Sequence, residues 1–383
     1  MKRTLFAVLA ALMIVGLLIS CGGDGEEEAE AAEPDHRIGI VFDVGGRGDN
    51  SFNDSAYRGL VMLAEEYEGF IQDDPDDVDF GSNIQMKYLE PQGTGQDREQ
   101  LVRVLAEDGY GLIFGVGFAF ADSMGKVAED FPDTNFGIID ATVDAPNVTG
   151  ITFAEHEGSF LVGALAGLYT ADNSPGSPLG YIGGMDSPLI RKFHGGFFAG
   201  AMYANENLRE DGMLLGQYIG QDPTAFQDPQ KAESIATSMY ERDAFIIYHA
   251  AGASGSGLFN AAAEMDRWAI GVDSDQGLIL AESDSEEEQQ IAEQILTSML
   301  KRVDNSVFQV GSEFIDNDGE LSGEDVTFGL DDDGVGVAVN EYNEDLVSPY
   351  MDRIDELKQQ VIDGEITVPD SDTKVADWAA ETF

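Results

Sequence analysis

The chain has 383 residues, 73 Asp plus Glu against 20 Lys plus Arg, a formal charge of −53 and one cysteine. So acidic a surface repels nucleic-acid phosphates, which need basic patches. A lone cysteine leaves no intrachain disulfide framework.

Lys2 and Arg3 precede an apolar run from Leu5 to Ile19, too short to span a bilayer and suited to a signal-peptide core. The run closes in Leu18-Ile19-Ser20-Cys21, which resembles a bacterial lipobox. That resemblance implies cleavage after residue 20, with palmitate or a related lipid on Cys21 anchoring the protein to the cell membrane on its extracytoplasmic side. Without the signal, 18 basic side chains face 73 acidic ones, a charge of −55. The acids are spread along the whole chain, which favours a solvated shell adapted to high salt over a functional acidic patch for cations. Residues 21–36 are rich in Gly, Glu and Ala and read as a tether. The roughly 345 residues that remain exceed what one core usually serves, so two lobes are expected.

Ile38–Asp43 reads as a buried strand, followed by a glycine-rich loop and a helix carrying Tyr57, Leu60, Val61 and Ala64. Strands at 84–89, 111–116 and 135–140 alternate with helices at 98–107 and 121–129. The pattern restarts with strands at 148–153, 179–184, 213–219, 244–249 and 268–273, and helices at 158–169, 190–205, 229–242 and 258–266. Such alternation predicts βαβ units with parallel sheets and helices on both faces. Toward the C-terminus the expected elements are a helix over 289–303, strands at 306–310 and 335–339, and an amphipathic helix over 346–363.

Catalytic and cofactor motifs are incomplete. Gly46-Arg47-Gly48 lacks the third glycine of a dinucleotide fingerprint, since Ser51 stands there. No P-loop or nucleophile elbow is present. His36, His156, His194 and His249 form no zinc pattern, and Asp316-Asn317-Asp318-Gly319 does not fit a calcium loop. No cofactor and no metal are expected. Arg47-Gly48-Asp49 matches an adhesion tripeptide in letters only.

The strands expected above end in polar or glycine-rich segments at 43–54, 115–120, 140–142, 185–193, 250–257 and 273–276. Ligands of open parallel sheets bind outside the carboxyl ends of the strands, so these segments face a common cleft. Phe52 and Phe193 would sandwich a planar ring, and Asp43, Asp140 and Asp273 would accept hydrogen bonds from ring N–H groups or a diol. Ring plus diol describes a nucleoside, and three carboxylates disfavour a phosphorylated one. The residues alone leave alternatives open. Either phenylalanine fits a core, strand-end aspartates often cap helices, and Lys301, within the apolar helix expected there, fits a solvated face.

Residues 41–57, Val-Phe-Asp-Val-Gly-Gly-Arg-Gly-Asp-Asn-Ser-Phe-Asn-Asp-Ser-Ala-Tyr, resemble the signature of the basic membrane protein family of substrate-binding lipoproteins. So do the segments at 157–163, 248–257, 270–276, 297–304 and 364–369. The resemblance implies a type I periplasmic-binding-protein fold, an α/β architecture of two doubly wound parallel-sheet lobes joined by a three-segment hinge. It sets one lobe at 37–150 plus 275–310 and the other at 151–274 plus 311–383, with crossings near Gly150, Asp275 and Val310. It implies a purine stacked on Phe52 and Phe193, its base held through Asp43, Asn53 and Asp140, and its ribose through Gly252, Asp273 and Lys301. The implied partners are a purine nucleoside, an ABC permease and the bilayer, with the protein itself a monomer and not an enzyme. The alternatives are a nucleoside-cleaving enzyme, or a binding protein for a sugar or signalling molecule.

Overall fold

Continuous apolar runs such as Leu112–Val116 are buried from end to end, as strands covered by helices on both faces must be. In the computed structural model, which describes residues 34–73 and 81–383, these runs form two sheets. The expected signal peptide, Cys21 and most of the tether lie outside the described residues.

The first stretch of chain runs β1 (His36–Val41), α1 (Phe52–Glu66), β2 (Phe70–Gln72), β3 (Ile84–Leu89), α2 (Arg98–Glu107), β4 (Leu112–Val116), α3 (Ala121–Asp130), β5 (Asn135–Ile139) and β6 (Val148–Phe153). The second adds α4 (Glu155–Asn173), β7 (Leu179–Met185), α5 (Pro188–Ala204), β8 (Leu214–Gly220), α6 (Pro229–Tyr240), β9 (Ile246–Ala250), α7 (Gly255–Met265) and β10 (Trp268–Asp273). Then come α8 (Gln276–Ala281), α9 (Glu286–Ala292), β11 (Ile295–Lys301), α10 (Val303–Asp316), β12 (Val326–Phe328), β13 (Val335–Val337), α11 (Glu344–Ile362) and α12 (Val375–Thr382).

One sheet has the order β12-β6-β5-β4-β1-β3-β2 and the other β13-β11-β10-β9-β7-β8. Every pairing is parallel except β11 with β13. Each sheet carries helices on its faces, the α/β two-lobed architecture of type I binding proteins.

Three expectations are corrected. Residues 289–303 are not one helix: α9 ends at Ala292 and β11 follows, with Lys301 its last residue. Ser306–Val310 is not a strand but part of α10. The lobe boundaries move as well. β11 pairs with β10, so residues 295–301 belong to the second lobe and not the first. α10 packs on α1 and β12 pairs with β6, which puts them in the first lobe. The chain therefore crosses at Ala154, at Arg302, and between Phe328 and Val335, rather than near Asp275 and Val310. A short apolar run fits strand and helix alike, and at 295–300 the hydrogen-bonding edge of β10 decides for strand.

Candidate cleft between the lobes

The loop after β1 is built by two carboxylates. Asp49 accepts from the backbone N–H groups of Ser51, Asn53 and Asp54 and from the Asn53 side-chain amide. Asp54 accepts from those of Gly48 and Asn50. Burial pushes the Asp49 carboxyl up to about 6, against the pull of these hydrogen bonds. The turn delivers Phe52 and Asn53 at the start of α1. Asn53 then accepts from the Asp43 backbone N–H at 3.0 Å, tying the helix to the end of β1.

Asp43 is bound through Oδ1, which accepts from the Val44 N–H at 2.7 Å and from Arg98 Nε at 3.0 Å, with Arg98 Nη2 closer still. Its other oxygen lies beside Gly117, where a Cβ would stand 2.8 Å away.

Asp140 and Asp273 follow the same logic on the two sheets. Each stands at the carboxyl end of its strand with a left-handed backbone, φ 69° and 64°. Asp140 accepts from Lys301 Nζ at 2.6 Å, a pair that joins the lobes. Asp273 accepts from Ser51 Oγ at 2.5 Å, also across the lobes. Burial raises both carboxyls, Asp273 to about 7, although Lys301 pulls each of them down. Burial alone would lower the Lys301 ammonium, but Asp140, Glu155 and Asp273 outweigh it and raise it.

Lys301 is 1 % exposed and sits among aromatic rings. Its Nζ lies 5.0 Å from the Phe52 ring centre, 4.9 Å from Phe153 and 5.5 Å from Phe193. The centres of Phe52 and Phe193 are therefore at most the sum of their two distances, about 10.5 Å, apart. A flat ring between two aromatic faces needs roughly 7–8 Å at ordinary carbon contact distance.

All eight residues singled out in the sequence line one cleft of about 650 Å³, within the size range of small-molecule sites. Asp43, Phe52, Asn53 and Asp140 come from the first lobe. Phe193, Gly252, Asp273 and Lys301 come from the second. Gly252 has φ 54° and opens the turn after β9, where backbone approaches the cavity.

Sequence reasoning missed Asp49, Phe118, Leu189, Ile190 and Phe226, which also line it. Phe118 and Leu189 lie within strand-end segments already singled out, so only their side chains went unread. Phe226 follows β8 in a polar stretch that carried no signal. The adhesion tripeptide is not presented: Asp49 is buried in the loop, and the Arg47 guanidinium lies 3.6 Å from the Tyr57 ring centre. Among the described residues no group of three or more His, Cys, Asp or Glu side chains is placed to hold a metal ion.

The family model for PnrA-like ABC transporter substrate-binding proteins, Bmp, matches residues 37–372. The chain belongs to the Bmp family. Among its relatives is the ABC transporter nucleoside-binding protein BmpA of Lactococcus lactis, 32 % identical over 96 % of this chain and 99 % of that protein. Another is an uncharacterized lipoprotein of Pyrococcus abyssi, 29 % identical over 95 % of this chain and 91 % of that one. A solved structure, an ABC transporter solute-binding protein from Aeropyrum pernix, is 26 % identical with a TM-score of 0.72, covering 90 % of this chain and 97 % of its own. This Bmp protein is thus a substrate-binding component of an ABC transporter, a role that implies an extracytoplasmic location, a ligand and a permease partner.

Proposed function

We propose that this Bmp protein captures a purine nucleoside by closure of its lobes and delivers it to a membrane permease, without chemical conversion. The observation that carries the reading is the meeting of two phenylalanines from opposite lobes beside buried carboxylates. Stacking between Phe52 and Phe193 rewards a flat heterocycle, at roughly 1–3 kcal/mol per stacked face. Asp43 and Asp140 accept from base N–H groups. Asp273 and the Gly252 turn receive the ribose hydroxyls, with Lys301 donating beside them. The contacts are split between lobes and are complete only when the lobes are closed, so ligand shifts the population toward closure. The Lactococcus relative, a nucleoside-binding protein by name, supports a nucleoside as ligand. Acylation of Cys21 would hold the protein at the membrane surface beside its permease.

Calorimetric titration with guanosine, adenosine and inosine tests this. Binding of at least one is expected, weakened at least tenfold by Phe52→Ala and by Asp273→Ala. Unchanged affinity in both variants removes the proposed site. Release of ribose or free base on prolonged incubation points to a nucleoside-cleaving enzyme instead.

A further inference from the structure

Glu155 is fully buried, begins α4, and stands one residue past the first crossing between the lobes. A carboxylate at a helix N-terminus is favourable by itself, but the surroundings go further. Its Oε2 accepts from Lys192 Nζ at 2.9 Å. Its Oε1 lies 3.2 Å from Lys301 Nζ, outside hydrogen-bond alignment, and has no other partner among the described residues. Lys301 in turn lines the cleft and pairs with Asp140. The charges alternate along Lys192, Glu155, Lys301 and Asp140, so the cleft ammonium is flanked by a carboxylate from each lobe.

An ammonium paired with one carboxylate is formally neutral and offers an approaching anion little repulsion. Glu155 adds a negative charge beside Lys301 on top of those of Asp140 and Asp273, so a ligand phosphate approaching the ammonium is repelled more strongly than it would be without Glu155. We propose that Glu155 is a positioning and specificity-determining residue, which commits Lys301 between the lobes and keeps the cleft selective for uncharged ligands over their phosphorylated forms. The inference rests on the nucleoside reading of the cleft and adds a residue that does not line it.

The test compares guanosine with guanosine 5′-monophosphate by calorimetry on the mature chain. The expected wild-type result is a strong preference for guanosine. In Glu155→Gln, which keeps the side-chain shape and removes the charge, the guanosine-to-monophosphate affinity ratio narrows at least tenfold. A merely structural defect weakens both ligands alike and leaves the ratio in place, which overturns the inference. Lys192→Met provides the second arm, since it leaves Glu155 to Lys301 alone and widens the ratio. A ratio that stays or narrows in that variant overturns the inference even if Glu155→Gln does not fold. Wild-type protein that binds no nucleoside defeats the functional reading itself, and this inference falls with it.

Discussion

Asp140 and Asp273 show how one residue serves backbone and ligand together. Both take the left-handed conformation, which Asp tolerates better than most side chains because it is short and polar. Strain of that kind persists where surrounding structure enforces it, and it clusters at binding sites. Asp140 directly follows β5 and Asp273 ends β10, each the third strand in from the edge formed by β12 or β13. Asp273 also has a consequence for stability. Its carboxyl sits at about 7 in the folded state, against roughly 3.9 unfolded, so its contribution is full below about 4 and is lost as pH rises to about 7. Burial pushes His194 and His249 down to about 4, and their contribution is present above roughly 6.5 and lost as pH falls. The two slopes oppose each other between about pH 4 and 7. Asp273→Asn removes one of them, so the variant gains more stability than wild type as pH rises across that window. Urea unfolding at stepped pH checks this, and parallel curves for the two proteins would refute it.

At the level of elements, the cleft depends on how closely α4 and α5 approach. Gly163, Gly196 and Gly200 let their backbones touch: a Cβ on Gly200 would stand 1.9 Å from the Phe160 carbonyl oxygen. No side chain can yield there, because the obstacle is backbone. Gly200→Ala must push the helices apart, which costs about 1–3 kcal/mol as overpacking does. Because α5 carries Phe193, nucleoside affinity falls as well. Chemical denaturation and calorimetry on the variant measure both effects, and native stability with native affinity would show that the helix spacing is not needed. The helix expected over residues 289–303 gives way to a strand at this level too. Ile295, Leu296, Met299 and Leu300 can be placed on a helix face, and nothing local contradicts it. Only pairing with β10 makes them a strand and places Lys301 at its end, in the cleft, rather than on a helix surface.

For the whole molecule, charge is the dominant fact. A formal charge of −53 means that acidic side chains repel one another in dilute buffer, and salt screens that repulsion over roughly 10 Å at 0.1 M and 3 Å at 1 M. The thermal midpoint is therefore expected to climb as potassium chloride rises from about 0.1 to 1 M. A midpoint that is flat or declines with salt would mean that the acidic shell is not a halotolerance device.

The alternation of apolar runs with amphipathic stretches was enough for two parallel-sheet lobes, since period and length distinguish most buried strands from helices before any contact forms. The strand-end segments gave six of the arms that reach the cleft, because in parallel sheets the carboxyl ends must point the same way. Family resemblance, rather than pattern, singled out Asn53 and Lys301. The tertiary structure alone decided where the chain changes lobe, that Arg98 neutralises Asp43, and that Glu155 stands behind Lys301. Those are relations between residues far apart in the chain. They arise only when strands and helices pack and water leaves the charges between them.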